Sequence, residues 1–203
     1  MKITHQKGRG KKIHILIDGE YKITTDVDFW NLNFISNDTE ISEEEFEQLV
    51  EKIERRKAVN KCYDLLSRRD HSQKELERKL LKTVSYENAK YATELMIEKG
   101  FIDDNKYAEK LFDYLSGKKY SKSHIIAEMR KRGIDKDIVD NVVGCREIDS
   151  VEIICDLLNT KYSLKIKAEN GKEKVISALL RKGFSYSDIK SAFYRMETDS
   201  YEF

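Results

Sequence analysis

One helical unit of about fifty residues recurs three times from residue 57 onward, and a period of that length marks stacked helical repeats. Its clearest pieces are SRRDHSQKELERKLL at 67–81, SGKKYSKSHIIAEMRKRGI at 116–134 and KEKVISALLRKGF at 172–184. Superposed, Leu76, Ile125 and Val175 share one position; Leu80, Met129 and Leu179 share the position four residues on. That spacing puts both apolar positions on one helix face. The second and third copies then pass through Lys/Arg-rich sequence into Gly133-Ile134 and Gly183-Phe184. Repeats of this kind present a long surface and usually no deep chemical pocket, so the chain is expected to bind something extended. The fold class that follows is mainly α: tandem three-helix repeats in an elongated, curved array, with a small N-terminal β-hairpin. Neighbouring units are expected to share a core. The segments expected are an N-terminal extension over 1–55, repeats over 56–102, 103–146 and 147–197, and a frayed tail over 198–203.

Charge carries the next inference. The 203 residues are 37% charged and 39% hydrophobic, with no proline. That balance fits a helical repeat whose outer faces stay wet. A net charge of +1 hides strong segregation. Residues 1–12 hold Lys2, Lys7, Arg9, Lys11 and Lys12 without an acid, and residues 38–54 are strongly acidic. From Lys118 to Arg132 the sole acid is Glu128, and 161–182 is again mainly basic. Basic segments at the repeat interval suit a polyanion or an acidic protein surface that itself repeats.

Along the N-terminal extension, Lys7 to Lys12 read as a flexible basic arm. Lys7-Gly8-Arg9-Gly10-Lys11-Lys12 lacks the strand–loop–helix setting and terminal Ser/Thr of a phosphate loop. Ile13, Ile15 and Ile17, the Asp18-Gly19 turn, and Tyr21, Ile23 and Thr25 spell a hairpin. A short helix around Val27–Ile35 carries Trp30, and its aromatic residues should clamp the hairpin to the helices. Ser42 and Glu45 form a capping box ahead of Phe46, Leu49, Val50 and Ile53. A separate helix follows with Ala58, Cys62, Leu65 and Leu66 inward, ending near Arg69. Ser72, with Glu75, caps the next helix, whose Leu76, Leu80 and Leu81 face inward. A third helix runs from about Tyr86 to Lys99, and Gly100 ends it. Asp103-Asp104 opens the second unit as an N-cap, a role preferred to metal ligation for a carboxylate pair at a helix start.

The three cysteines are far apart. Cys62 and Cys155 fall on apolar helix positions and read as buried reduced thiols, not as a disulfide or zinc framework. The four histidines show no metal spacing or nucleophile pattern. No cofactor, metal or catalytic group is expected. No apolar run approaches a membrane span, so a cytoplasmic protein without membrane contact is expected.

The assembled motifs resemble the RecX family, the regulators of RecA recombinase. Ala58, Cys62, Leu65, Leu66 and Ser67 look like its A-x-x-x-A-L-x-L-L-S opening. Arg69, Ser72, Glu75, Leu76, Lys79 and Leu80 match R-x-x-S-x-x-E-L-x-x-K-L. Gly100 to Asp104 with Tyr107-Ala108 match G-[YLF]-[IL]-[DN]-D-x-x-[FY]-A, and Ile125, Glu128, Met129, Gly133 and Ile134 match I-x-x-E-L-x-x-K-G-I. The resemblance is strong over residues 55–145 and looser beyond. The sequence departs from the pattern at Thr83-Val84, where Lys-Gly is usual, at Ser121, and over 161–171. The resemblance implies a monomer that binds along the groove of a RecA–DNA filament and inhibits ATP turnover, strand exchange and coprotease activity. Contact with single- or double-stranded DNA would be weaker or indirect.

The residues expected to meet the filament or DNA are Arg68, Arg69, Lys118, Lys119, Lys122, Arg130, Lys131, Arg132, Lys172, Lys174, Arg181 and Lys182. Those expected to fix the scaffold are Ser72, Leu76, Gly100, Asp103, Asp104, Tyr107 and Gly133. Cations at a helix C-terminus also offset its dipole, so Arg130-Lys131-Arg132 and Arg181-Lys182 have a structural explanation beside the binding one. A helical DNA-binding protein with a basic ridge is the alternative reading.

Overall fold

A computed structural model describes residues 1–199; the tail expected at 198–203 lies outside them from residue 200 onward. The described residues divide into two compact units, one of residues 1–70 and 75–102, the other of residues 71–74 and 103–199.

The first unit opens with a four-stranded antiparallel sheet, where the sequence reading expected a hairpin alone. Its strands are β1 (Lys2–Lys7), β2 (Lys12–Ile17), β3 (Glu20–Asp26) and β4 (Thr39–Glu40), in the order β3-β2-β1-β4. Asp18 and Gly19 both have positive φ, 50° and 84°, the backbone that a two-residue turn between twisted strands requires. β1 pairs along β2, and the Asp18 carboxylate accepts the Lys2 amide at 2.8 Å; of the basic arm, Lys7 and Lys12 lie in these two strands and residues 8–11 connect them. A third strand gives the hairpin the partner that two strands alone would lack. Ile3, Ile15 and Ile23 bury their side chains with Trp30, Leu49 and Ile53. Each such aliphatic side chain contributes about 1.5–3 kcal/mol when withdrawn from water.

Helix α1 (Val27–Leu32) is capped by Asp26, whose carboxylate accepts the Phe29 amide at 2.7 Å. Trp30 is buried and Phe34 is exposed, so the aromatic clamp is narrower than expected. Helix α2 runs unbroken from Glu43 to Leu66, with both halves of the Ser42–Glu45 capping box formed. Two helices were expected here because the apolar stripe changes phase between Ile53 and Ala58. Five residues at 100° each move the stripe about 140° around the same helix. Leu49 and Ile53 therefore serve the sheet core, while Ala58 and Cys62 serve a second core with α3 (Gln73–Leu80) and α4 (Tyr86–Glu98). Leu81, expected inward, is 48% exposed because it falls beyond the last turn of α3.

The second unit holds α5 (Asp104–Gly117), α6 (Lys122–Lys131) and α7 (Lys136–Gly144), then α8 (Ser150–Asn159), a 3-10 turn (Lys165–Lys167), α9 (Gly171–Arg181) and α10 (Tyr186–Asp199). The expected shared core is not present between these triplets. Leu111, Ile125, Met129 and Val139 close one cluster; Ile154, Leu158, Leu179 and Ile189 close another. Among the described residues no helix is long and apolar enough to cross a membrane.

Candidate partner-binding surface

Separate cores leave the two triplets of the second unit to be joined through helix ends. The amide of Ser121 donates to the carbonyl of Lys182 at 3.1 Å, while its hydroxyl accepts the His124 amide at 3.1 Å. One residue thus caps the start of α6 and meets the end of α9. Gly183 makes the approach possible: its φ is 86°, and an added Cβ would lie 2.6 Å from Ser121 Oγ and 2.7 Å from His124 Cβ. A related contact occurs one repeat earlier, made by the serine side chain instead of its backbone. The Ser72 hydroxyl donates to the Arg132 carbonyl, beside Gly133 with φ of 80°. Ser72 and Ser121 are equivalent repeat positions, as are Arg132 and Lys182. Each places a helix N-terminus on the carbonyl end of another, so opposite dipole ends meet.

Asp103 and Asp104 act in different places. Asp103 caps α5 through the Lys106 amide at 3.0 Å, and that bond holds its carboxyl below the ordinary range. Asp104 accepts the Gln73 amide at 2.9 Å. Burial pushes its pKa up, although the Gln73 bond works in the other direction. Tyr107 and Leu76 are core residues, and Gly100 ends α4 with φ of 73°.

The basic residues sort by what they touch. At the α6–α9 junction, the Lys182 ammonium lies 4.2 Å from the Tyr120 ring centroid and donates to the Lys118 carbonyl at 2.6 Å. Burial, then the nearby charges of Lys161 and Lys118, lowers its pKa. Tyr120 stacks on His124 at 4.3 Å with rings 12° apart. Lys118 reaches over Tyr114, 4.1 Å from its centroid, and Lys119 is paired with Asp156. Lys122 is half-buried and Arg181 exposed in the same region. At the far end of α6, Arg130 is exposed and Lys131 is 79% exposed, with a long 3.8 Å approach to Glu128. Arg132 is different: its guanidinium donates to the Tyr107 hydroxyl at 2.7 Å and to Glu128 at 3.0 Å. Burial works against its charge, but those bonds outweigh it and raise its pKa.

Lys172 and Lys174 lie towards the opposite end of α9 from Arg181, about 10–14 Å away along the axis at 1.5 Å per residue. Lys172 sits 4.9 Å from the Phe193 centroid and 3.5 Å from Glu197; Lys174 is exposed. Arg68 and Arg69 belong to the first unit. Arg69 donates to the buried Glu75 carboxylate at 3.1 Å, whereas Arg68 is exposed. The structure therefore gathers Lys118, Lys119, Lys122, Arg181 and Lys182 at one junction and Arg130–Arg132 at the other end of α6. Tyr114, Tyr120, His124 and Lys161 were missed from sequence. The i, i+4 spacing of Tyr114 with Lys118 and of Tyr120 with His124 was the available signal.

Cys62 is buried, and burial pushes its thiol up to about 11. Cys155, expected to be buried, is half-buried, and Cys145 is exposed. Among the described residues no three His, Cys, Asp or Glu side chains converge as metal ligands would.

A family model described as "RecX, first three-helix domain" matches residues 58–83. The chain is 28% identical over 190 residues to "Regulatory protein RecX" of Caldanaerobacter subterraneus subsp. tengcongensis, covering 92% of this chain and 94% of that one. It is 31% identical over 141 residues to "Regulatory protein RecX" of Xanthomonas campestris pv. campestris (strain B100), covering 66% of this chain and 84% of the relative. A crystal structure of regulatory protein RecX superposes with a TM-score of 0.59 at 20% identity over 94% of this chain and 98% of the other. A crystal structure of RecX from Lactobacillus salivarius gives 0.55 at 23% identity over 71% and 97%.

Proposed function

This chain belongs to the RecX family, and we propose that it regulates RecA by lying along the groove of the RecA–DNA filament and bridging neighbouring protomers. One observation carries the reading. Repetition of the serine-to-carbonyl contact gives α6 and α9 equivalent ends, and each end exposes a cation one residue before its cap: Lys131 on α6 and Arg181 on α9. A filament presents the same acidic groups at regular intervals, so a protein with repeated positive ends can meet several at once. Each contact may be weak, because the second is made at the effective concentration set by the first. Exposed charge also speeds encounter more than it deepens affinity. Occupancy alone then restrains ATP turnover, strand exchange and coprotease activity, and the protein acts as a monomer without a cofactor. The test is RecA ATP hydrolysis on single-stranded DNA with substoichiometric protein. Turnover should fall well beyond the fraction of protomers covered; turnover unchanged at saturating protein would contradict the proposal.

A second reading, direct binding to DNA, is favoured by the junction itself, where Lys118 and Lys182 flank the Tyr114 ring and the Tyr120–His124 stack. Cations beside aromatic rings, of which Tyr114 is exposed and Tyr120 and His124 half-buried, suit phosphates and unstacked bases. That mode requires tight binding to bare strands and a steep loss of affinity with salt.

A further inference from the structure

The first unit contains a groove that the RecA reading does not use. It lies between β3 and α2, has a volume of about 420 Å³, and is lined by Lys12, Thr24, Thr25, Asp26, Arg56, Lys57, Asn60, Lys61 and Asp64. That volume falls within the range of small-ligand sites. Its wall on α2 is one face of the helix, since residues 56, 60 and 64 and residues 57 and 61 are four apart.

Four cations line it against two carboxylates. One carboxylate, Asp26, is already engaged by the Phe29 amide at 2.7 Å and by Arg56 at 3.6 Å. Lys57 is 2.7 Å from Glu54, but that pair is partly exposed to solvent. Such a pair holds weakly and exchanges readily for a stronger anion. Among the groove's lining residues, Asp64 is then the carboxylate left beside Lys12 and Lys61, with Lys57 held by Glu54 at the edge. The basic turn between β1 and β2 adds to the field: the Val27 amide donates to the Lys11 carbonyl at 3.1 Å, so that turn lies beside the groove's Asp26 wall. Ammonium groups on four-carbon stems, point charges without a fixed fork, suit a ligand of high charge with several acceptor oxygens, which describes phosphate better than a single carboxylate.

We propose that this groove is a binding site for a phosphate-bearing anion of mononucleotide size, held by Lys12, Lys57 and Lys61. Two sources share that chemistry: a free nucleotide or polyphosphate, and the backbone of a nucleic-acid strand. The site is independent of the filament contacts on α6 and α9.

The test is calorimetric titration of the full chain with tripolyphosphate, ATP and a short oligothymidylate at matched ionic strength. The Lys12→Ala/Lys61→Ala variant is titrated alongside, with Lys90→Ala as a control, since Lys90 faces Glu94 on α4 away from the groove. At least one probe should bind saturably, with affinity about tenfold or more weaker in the double variant, the loss of two charge-assisted contacts, and unchanged in the control. Binding of tripolyphosphate or ATP assigns the site to free phosphates; binding of the oligonucleotide alone assigns it to a strand backbone. A Lys12→Arg/Lys61→Arg variant, which keeps the charge, should retain binding and guards against a folding defect in the alanine pair. No saturable binding by any of the three probes, or equal affinity in chain and double variant, overturns the proposal.

Discussion

The Arg132 guanidinium reaches both Tyr107 and Glu128, while Lys131, one residue earlier, extends into solvent. Arg132→Ala should therefore cost about 1.5–3 kcal/mol, the range for hydrogen bonds to a charged group, read as a lower urea midpoint by circular dichroism. Lys131→Ala should lower that midpoint much less, by the helix-dipole share of about 0.3–1 kcal/mol; equal loss in both variants would show that the exposed Lys131 is structural too. Sequence could not separate these neighbours, because a basic residue in a last helical turn gains from the dipole whichever way it points. What separates them is Tyr107 on α5, brought to Arg132 by packing that no local spacing encodes. Asp104 allows a test by pH. Its folded pKa lies above the ordinary 3.8 because of burial, so the folded state takes up the proton more readily than the unfolded chain. This residue's contribution to stability is therefore present below the unfolded pKa and is lost as pH rises through the folded pKa. Asp104→Asn keeps an acceptor for the Gln73 amide and removes the buried charge. It should be more stable than the parent at pH 7 and lose that advantage as pH falls towards 4. A difference that does not vary with pH would assign its effect to shape alone.

Helix ends are the working parts of the second unit, and glycine tests them. Gly100 and Gly183 share positive φ, but a Cβ on Gly100 meets nothing within 4 Å while one on Gly183 strikes Ser121 and His124. Gly100→Ala should cost only the backbone strain of about 1–2 kcal/mol. Gly183→Ala should cost that plus about 1–3 kcal/mol for overpacking, measured by urea denaturation. Equal losses would mean that the α6–α9 contact is not close enough to matter. The helices themselves were legible wherever one apolar stripe kept one phase, as in α6 and α9. Helix α2 was misread because its stripe changes face to serve two cores, and a phase change in sequence resembles a break. The third strand was missed because Lys2–Lys7 is mostly polar: only Ile3 is buried within it, and its pairing is with backbone that alternation does not reveal.

On the scale of the molecule, repetition was visible in the sequence, and it proves to be repetition of contacts as well as of helices. Ser72 and Ser121 each meet the carbonyl of a residue that caps another repeat. The binding residues were less legible. Several of the cations chosen from sequence, Arg69, Lys119, Arg132 and Lys182 among them, are engaged inside the protein. Among the exposed ones, Arg130, Lys131 and Arg181 carry the proposed filament contact, and changing them should keep the fold. The most direct measurement is affinity for RecA-coated single strands and for bare strands, in the parent chain and in Arg130→Glu/Lys131→Glu/Arg181→Glu. The parent should prefer the coated strand strongly, and the variant should lose about tenfold or more of that affinity while keeping its fold. Equal binding to coated and bare strands, or a variant that grips the filament as well as the parent, would contradict it.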